Sequence, residues 1–83
     1  MTKKLYLDRD GIINKHIPYV GTLERFFWHY EIIPIAKYFV EKNYKIIVVT
    51  NQSGIERGYY SLFDFYKLSK YIMDFFLNND IEI

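Results

Sequence analysis

Two aspartates stand one residue apart, directly after a short apolar stretch near the start of the chain. In the segment LYLDRDGIIN, Leu5–Leu7 leads into Asp8, Arg9 and Asp10, and Gly11 follows. Carboxylates this close repel each other and lose solvation when partly buried, so a divalent cation or a phosphoryl group in transfer would compensate them. Asp8, held at a strand end, could attack phosphorus, and Asp10 could act as acid and then as base. Mg²⁺ bound at Asp8 and Asp10 would offset the repulsion.

A second polar run follows the most apolar stretch of the chain. Lys45–Thr50 reads KIIVVT, and Asn51, Gln52, Ser53 and a glycine come next. Four consecutive aliphatic residues indicate a strand covered on both faces, as in a parallel sheet. If the two strands are neighbours, their carboxyl ends lie roughly 4.8 Å apart. The second run would then supply hydroxyl, amide and backbone donors to an anion beside the aspartates.

Each motif also has an ordinary structural explanation. Asp-x-Asp-Gly after a strand is equally typical of a turn whose side chains cap local amides. The pair Thr50 and Asn51 is typical of a simple strand exit. An EF-hand fits poorly because the glycine comes too early, and Gly54–Gly58 lacks the Lys-Ser/Thr of a Walker loop.

The helices and strands that must position these residues are predicted from the spacing of apolar residues and from residues that typically begin or end such elements. One helix is predicted from near Ile33 to a left-handed stop at Asn43, and a second from a capping box at Ser61 to about Asn78. Their predicted apolar faces are Ile32, Ile35, Ala36 and Phe39, and Phe65, Leu68, Ile72 and Phe75. The other predicted elements are a strand at 4–7, an irregular stretch at 11–30 with room for a hairpin, a strand at 45–50, a loop at 51–60 and the start of a third strand at 81–83. This order predicts half of an α/β domain with a parallel sheet.

Composition narrows the classes of function. The chain has 83 residues, 51% of them hydrophobic, a net charge of +1 and no cysteine. These values favour one small globular domain without disulfides and give no general attraction to nucleic acid or membrane. The N-terminal residues show no apolar signal region, and no apolar run approaches the roughly 18 residues that span a bilayer. A cytoplasmic location and no membrane partner are therefore expected.

LYLDRDGIIN followed by IIVVTNQSGIERGYY resembles the haloacid dehalogenase (HAD) superfamily of phosphohydrolases, most closely its histidinol-phosphatase and heptose-1,7-bisphosphate 7-phosphatase group. The resemblance implies a HAD-like Rossmannoid fold, of which residues 1–83 would be the N-terminal half with the first two motifs. It implies that Asp8 is the nucleophile, Asp10 the general acid and base, and Thr50 the hydroxyl of the second motif. The phosphate- and substrate-binding residues predicted on this basis are Arg9, Tyr19, Thr50, Asn51, Gln52, Ser53 and Arg57.

The same resemblance implies Mg²⁺-dependent hydrolysis of a sugar phosphate through an aspartyl-phosphate. The family's third-motif lysine, its fourth-motif acidic residue and any zinc loop would lie beyond Ile83, so Zn²⁺ is expected only through residues after it. A polynucleotide 3′-phosphatase is an alternative, because that group shares a TNQ-x-G-I-x-R-G signature, although the net charge of +1 disfavours nucleic acid. A non-catalytic fragment is another. In each case a C-terminal half or another chain is expected to cover the exposed sheet edge.

Overall fold

A computed structural model of the protein describes residues 3–83, and two strands and three α-helices make up its framework. In chain order the elements are strand β1 (Lys3–Asp8), a 3₁₀ helix (Leu23–Arg25), helix α1 (Ile32–Glu41), strand β2 (Tyr44–Val49), helix α2 (Ser53–Glu56) and helix α3 (Leu62–Asn78). Within these residues no helix is long and apolar enough to cross a membrane.

The sheet confirms the predicted parallel pairing. β1 and β2 lie side by side, with Leu5 opposite Ile46 and Asp8 opposite Val49, so both strands end at the same edge. The predicted cover on both faces of β2 is incomplete within this chain. Ile46 is buried, whereas Ile47 is half-buried and Val49 is 46% exposed.

Helix α1 connects the two strands and packs against β2. It begins at Ile32, which leaves Pro34 in the first turn, where a missing backbone donor is harmless. Asn43 adopts a left-handed conformation with φ of 67°, as predicted for the stop. Ile32 and Ala36 face the core, but Ile35, which the periodicity also assigned to the apolar face, is 46% exposed.

Helix α3 begins at the predicted capping box. The Ser61 hydroxyl accepts from the Asp64 amide and the Asp64 carboxylate accepts from the Ser61 amide, each at 3.0 Å. The buried face runs through Leu68, Ile72 and Phe76, at a spacing of four residues. Phe75, predicted for this face, is instead half-buried, with its ring centroid 4.3 Å from that of Trp28.

The stretch between β1 and α1 folds back on itself like an irregular hairpin. Asn14 and Trp28 form an antiparallel bridge, and the amides of Lys15 and His29 donate to the carbonyls of Phe27 and Ile13, each at 2.8 Å. This pairing anchors the segment that follows the two aspartates.

Two predictions about the second half of the chain are wrong. The predicted loop at 51–60 contains the short helix α2 at Ser53–Glu56. Residues 81–83 form no strand among the residues described; Ile81 is instead fully buried after a turn in which Asp80 has φ of 63°. Ile81 joins the main core with the following side chains: Leu7, Ile13, Val20, Phe26, Ile32, Ala36, Ile46, Leu68, Ile72 and Phe76.

Candidate active site

A cavity of about 660 Å³ lies where the two strands end. Its walls come from three parts of the chain: the end of β1, the segment after the first turn, and the residues that follow β2. The lining residues are Asp8, Asp10, His16, Ile17, Pro18, Tyr19, Val20, Asn51, Ser53, Gly54 and Tyr60. The two predicted motifs therefore meet in one cavity, as the parallel sheet requires.

Asp8 is the last residue of β1 and its side chain is exposed to the cavity. The next amide, that of Arg9, donates to the Val49 carbonyl at 2.9 Å and extends the contact between the strands. Because its backbone belongs to the sheet, the Cα of Asp8 is fixed beside the cavity that its side chain lines.

Asp10 is held from one side only. Its Oδ1 accepts from Arg9 Nη2 at 3.0 Å, from Arg9 Nε at 3.3 Å and from Asn14 Nδ2 at 2.9 Å. Gly11, with φ of 98°, permits the tight turn that returns Asn14 to this position. The other oxygen, Oδ2, makes no hydrogen bond with residues 3–83 and is free for a substrate or metal.

Arg9, predicted to bind phosphate, is not among the residues that line the cavity. The residue is 2% exposed, and its guanidinium Nε and Nη2 donate to Asp10 and to the Val20 carbonyl, while Nη1 is buried without a partner among residues 3–83. It points away from the cavity because it lies between two cavity-facing residues on a strand end, where side chains alternate. Its position suits a residue that orients Asp10.

The residues after β2 divide into two groups. Asn51 and Ser53 line the cavity beside the aspartates. Thr50 and Gln52 do not; they are linked to each other, with Gln52 Nε2 donating to Thr50 Oγ1. Gln52 Oε1 in turn accepts from the Tyr60 hydroxyl.

The other two predicted binding residues are Tyr19, which lies on the remaining wall, and Arg57, which lies beside it. Tyr19 lines the cavity with a left-handed backbone, φ 54°, and its ring stacks on that of Tyr59 with centroids 4.3 Å apart. The Arg57 guanidinium lies 6.0 Å from the Tyr19 ring centroid, so Arg57 stands at the rim, outside the lining. A positive φ at a tyrosine is uncommon and is held by surrounding contacts.

Sequence reasoning missed Asn14 and Tyr60. Asn14 is fully buried against Asp10, four residues away in the same motif, so its spacing was a usable signal. Tyr60 is 8% exposed, and burial raises the pKa of its phenol above the ordinary 10.0; the Arg9 charge opposes this rise and the Asp10 charge adds to it. No sequence pattern marks Tyr60, because its place depends on a loop that folds back over the cavity.

The donor set for a divalent cation is partial. Mg²⁺ prefers hard oxygen ligands, and in phosphoryl-transfer sites it is bound by one or two carboxylates together with substrate phosphate and water. Asp8 and the free Oδ2 of Asp10 fit that description. Across residues 3–83, no three His, Cys, Asp or Glu side chains come together as a closed metal site. The two aspartates can hold Mg²⁺ only with further oxygen ligands.

Comparison with known proteins agrees with this geometry. No family model matches the chain. It is 46% identical over 82 residues to D-glycero-alpha-D-manno-heptose-1,7-bisphosphate 7-phosphatase of Campylobacter jejuni, an alignment that covers 99% of this chain and 48% of that protein. It is also 46% identical over 72 residues to D-glycero-beta-D-manno-heptose-1,7-bisphosphate 7-phosphatase of Helicobacter pylori, an alignment that covers 87% of this chain and 42% of that protein.

A solved structure extends the agreement to the fold. The chain superposes with a TM-score of 0.86 on a HAD-like phosphatase from Mesorhizobium loti, at 27% identity, covering 99% of this chain and 39% of that one. The chain therefore has part of the fold of the HAD-like phosphatases. Its curated relatives within that class are heptose-1,7-bisphosphate 7-phosphatases, and the chain spans about half of their length.

Proposed function

We propose that this chain carries the nucleophile and the general acid of a phosphatase that hydrolyses a sugar phosphate. One observation carries the proposal: Asp8 and Asp10, from the end of β1, line the same cavity as Asn51 and Ser53, from the end of β2. The named activity of the relatives supports a sugar phosphate such as heptose 1,7-bisphosphate, rather than a 3′-phosphorylated oligonucleotide.

The reaction would proceed in two steps. In the first, an Asp8 carboxylate oxygen attacks phosphorus, the bond from phosphorus to the sugar oxygen breaks, and Asp10 gives its proton to that oxygen. In the second, a water attacks the aspartyl-phosphate, Asp10 takes the proton of that water, and inorganic phosphate leaves with the Asp8 carboxylate restored. Arg9 and Asn14 would keep the Asp10 carboxyl aimed at the leaving oxygen through their bonds to Oδ1.

The phosphoryl oxygens need positive partners during both steps. When bound at Asp8, Mg²⁺ would supply charge that compensates these oxygens and would leave Oδ2 of Asp10 to carry the proton. Asn51 and Ser53 would donate hydrogen bonds to them from the opposite wall. The segment that contains His16 and Tyr19 faces the same space and would contact the sugar.

The surface outside the cavity suggests how the site is completed. An apolar groove of about 340 Å³ runs beside β2, between residues of that strand and of α3. We propose that a further segment or chain, such as the additional length that the relatives possess, covers this groove and brings further charged groups to the cavity. The relatives matched here are about twice as long as this chain.

A chimera tests the activity directly. Residues 1–83 would replace the matching half of the Campylobacter jejuni relative, to which they align over 99% of their length. Phosphate release from heptose 1,7-bisphosphate, histidinol phosphate and a 3′-phosphorylated oligonucleotide is then compared with and without Mg²⁺. We expect turnover of the heptose substrate that EDTA abolishes.

Two results would count against the proposal. If a folded chimera hydrolysed none of the three substrates, the proposed catalytic roles of Asp8 and Asp10 would be wrong. Preference for the oligonucleotide would replace the sugar phosphate with a nucleic-acid end as substrate. The unmodified Campylobacter jejuni protein serves as the positive control for each substrate.

A further inference from the structure

Tyr60 occupies a slot between two glycines that come from different parts of the chain. A Cβ built on Gly21 or on Gly54 would overlap the Tyr60 ring, and both glycines are buried. Neither has a positive φ, so their backbone conformations are open to any residue. What requires glycine at these two positions is therefore the space that the ring of Tyr60 fills.

The hydroxyl of Tyr60 begins a short chain of hydrogen bonds. It donates to Gln52 Oε1, and Gln52 Nε2 donates to Thr50 Oγ1. This order fixes the orientation of the Gln52 amide, because its oxygen faces Tyr60 and its nitrogen faces Thr50. Since the Thr50 oxygen already accepts a hydrogen bond, its own hydrogen remains available for an outside acceptor.

The ring of Tyr60 contacts the opposite wall of the cavity as well. Gly21, against which the ring packs, follows Val20, whose carbonyl accepts from Arg9 Nη2. The same nitrogen of Arg9 donates to Asp10. A continuous path of contacts thus joins the carboxylate of the first motif to the hydroxyl of the second motif through Tyr60.

We propose that Tyr60 is a positioning residue that sets the first motif against the second and keeps the Thr50 hydroxyl as a hydrogen-bond donor. The ring fixes the separation of the Val20–Gly21 wall and the Gln52–Gly54 loop. The hydroxyl fixes the Gln52 amide, and through it the direction of the Thr50 proton. The proposal rests on the proposed function in one respect: the phosphoryl group is taken to bind at Asn51 and Ser53, on either side of the Gln52 that the Tyr60 hydroxyl holds.

The sequence provides a specific probe, because Gln52 is the one glutamine in the chain. Selective ¹⁵N labelling of glutamine therefore gives a single side-chain amide pair in a ¹H–¹⁵N spectrum of the full chain in dilute solution. Tyr60→Phe keeps the ring and removes the hydroxyl. We expect it to shift the Gln52 amide pair, while the circular dichroism spectrum stays unchanged.

Inorganic phosphate, titrated in the presence of Mg²⁺ and followed by isothermal titration calorimetry, reports the consequence for the site. We expect Tyr60→Phe to weaken phosphate binding about fivefold, the effect of one lost hydrogen bond. Combining it with Gln52→Ala should add little, because both changes break the same chain of bonds. Tyr66→Phe, at an exposed tyrosine on α3, is the matched control and should alter neither measurement.

The positioning role of Tyr60 and the proposed phosphate site can be disproved by different results. An unchanged Gln52 amide pair in Tyr60→Phe would overturn the positioning role, whatever the protein binds. Fully additive losses of phosphate affinity in the double variant would overturn it too. If the wild-type chain gives no response to phosphate, the proposed phosphate site fails, and the Gln52 resonances still decide whether Tyr60 orients that amide.

Discussion

The cavity at the strand ends and the groove beside β2 both border the same sheet, yet they differ in how complete they are. In the cavity, polar groups are held by other groups of this chain, as when Arg9 and Asn14 both donate to Asp10. The groove is lined by the side of β2 and by α3, and its apolar residues include Ile47 and Met73. No part of residues 3–83 covers it. Residues 3–83 therefore contain an ordered polar cavity beside an uncovered apolar groove.

The largest effect, on both phosphatase activity and self-association, is expected when residues 1–83 are studied without any added segment. Residues 1–83 alone should show negligible phosphatase activity, because two carboxylates and neutral donors leave the phosphoryl charge poorly compensated. The groove should also promote self-association. Phosphate release with Mg²⁺ and light scattering over a range of concentrations measure both. A monomer that turns over sugar phosphate at about 1 s⁻¹ or faster would contradict this difference between the two regions.

Met73→Lys tests the predicted self-association separately from the predicted lack of activity. Met73 is 51% exposed and lines the groove, so a charge there should reduce self-association without reaching the cavity. Tyr66→Lys, at an exposed position of α3 outside the groove lining, is the control. Equal effects of both changes would show that the groove is not the associating surface.

The next largest effect concerns the cavity itself. In the chimera, Asp8→Asn should lower kcat by at least about 10³-fold, because an amide cannot form the phosphorylated intermediate. Asp74→Asn, an exposed residue of α3 paired with Lys70, should leave kcat unchanged. Residual turnover of Asp8→Asn within tenfold of the parent, in a folded chimera, would exclude Asp8 as the nucleophile.

Local patterns in the sequence predicted the parts of this molecule that are decided locally. Three features could be predicted from the sequence: the capping box at Ser61, the left-handed Asn43 and the parallel pairing of two apolar strands. Each depends on a few neighbouring residues or on a run of one residue type. The meeting of Asp8 with Asn51 followed from topology alone.

Features that depend on loop geometry could not be predicted from the sequence. Arg9 was predicted to bind phosphate, and no local pattern indicated its contacts with the Val20 carbonyl and the Asp10 carboxylate. Residues 81–83 have the composition of a strand, yet a strand needs a partner edge and the described chain pairs none with them. Tyr60 lies in a polar segment, and its burial depends on glycines 6 and 39 positions away in the chain, at 54 and 21.

A smaller effect is expected at the slot that holds Tyr60. Gly54→Ala places a methyl group against the Tyr60 ring and should lower the free energy of unfolding by about 1–3 kcal/mol, the usual cost of overpacking. Urea denaturation measures the difference. In a Tyr60→Ala background the same change should cost little, because the ring is gone. An equal cost in both backgrounds would show that the requirement for glycine does not come from the ring.

The smallest effect lies at the start of α3, which connects the Tyr60 slot to the groove. The backbone amide of Ser61 donates to the Asp64 carboxylate, and this bond, together with the Ser61 side chain, lowers the pKa of Asp64 below its ordinary 3.8. A lowered pKa means that folding favours the charged form. Its stabilisation is therefore fully present above 3.8 and is lost as the pH falls through the lower value of the folded state.

Comparing wild type with Asp64→Ala by urea denaturation isolates this contribution, since the other titrating groups are common to both. The difference in the free energy of unfolding should be constant near neutral pH and should shrink on the acid side of 3.8. It should be small because Asp64 is open to solvent, which screens the interaction. Phosphate binding at neutral pH should be the same in both proteins, because the capping box lies outside the cavity lining. A difference that grows as the pH falls would mean that Asp64 is stabilised in its protonated form, contrary to the hydrogen bond that the Ser61 amide donates to its carboxylate.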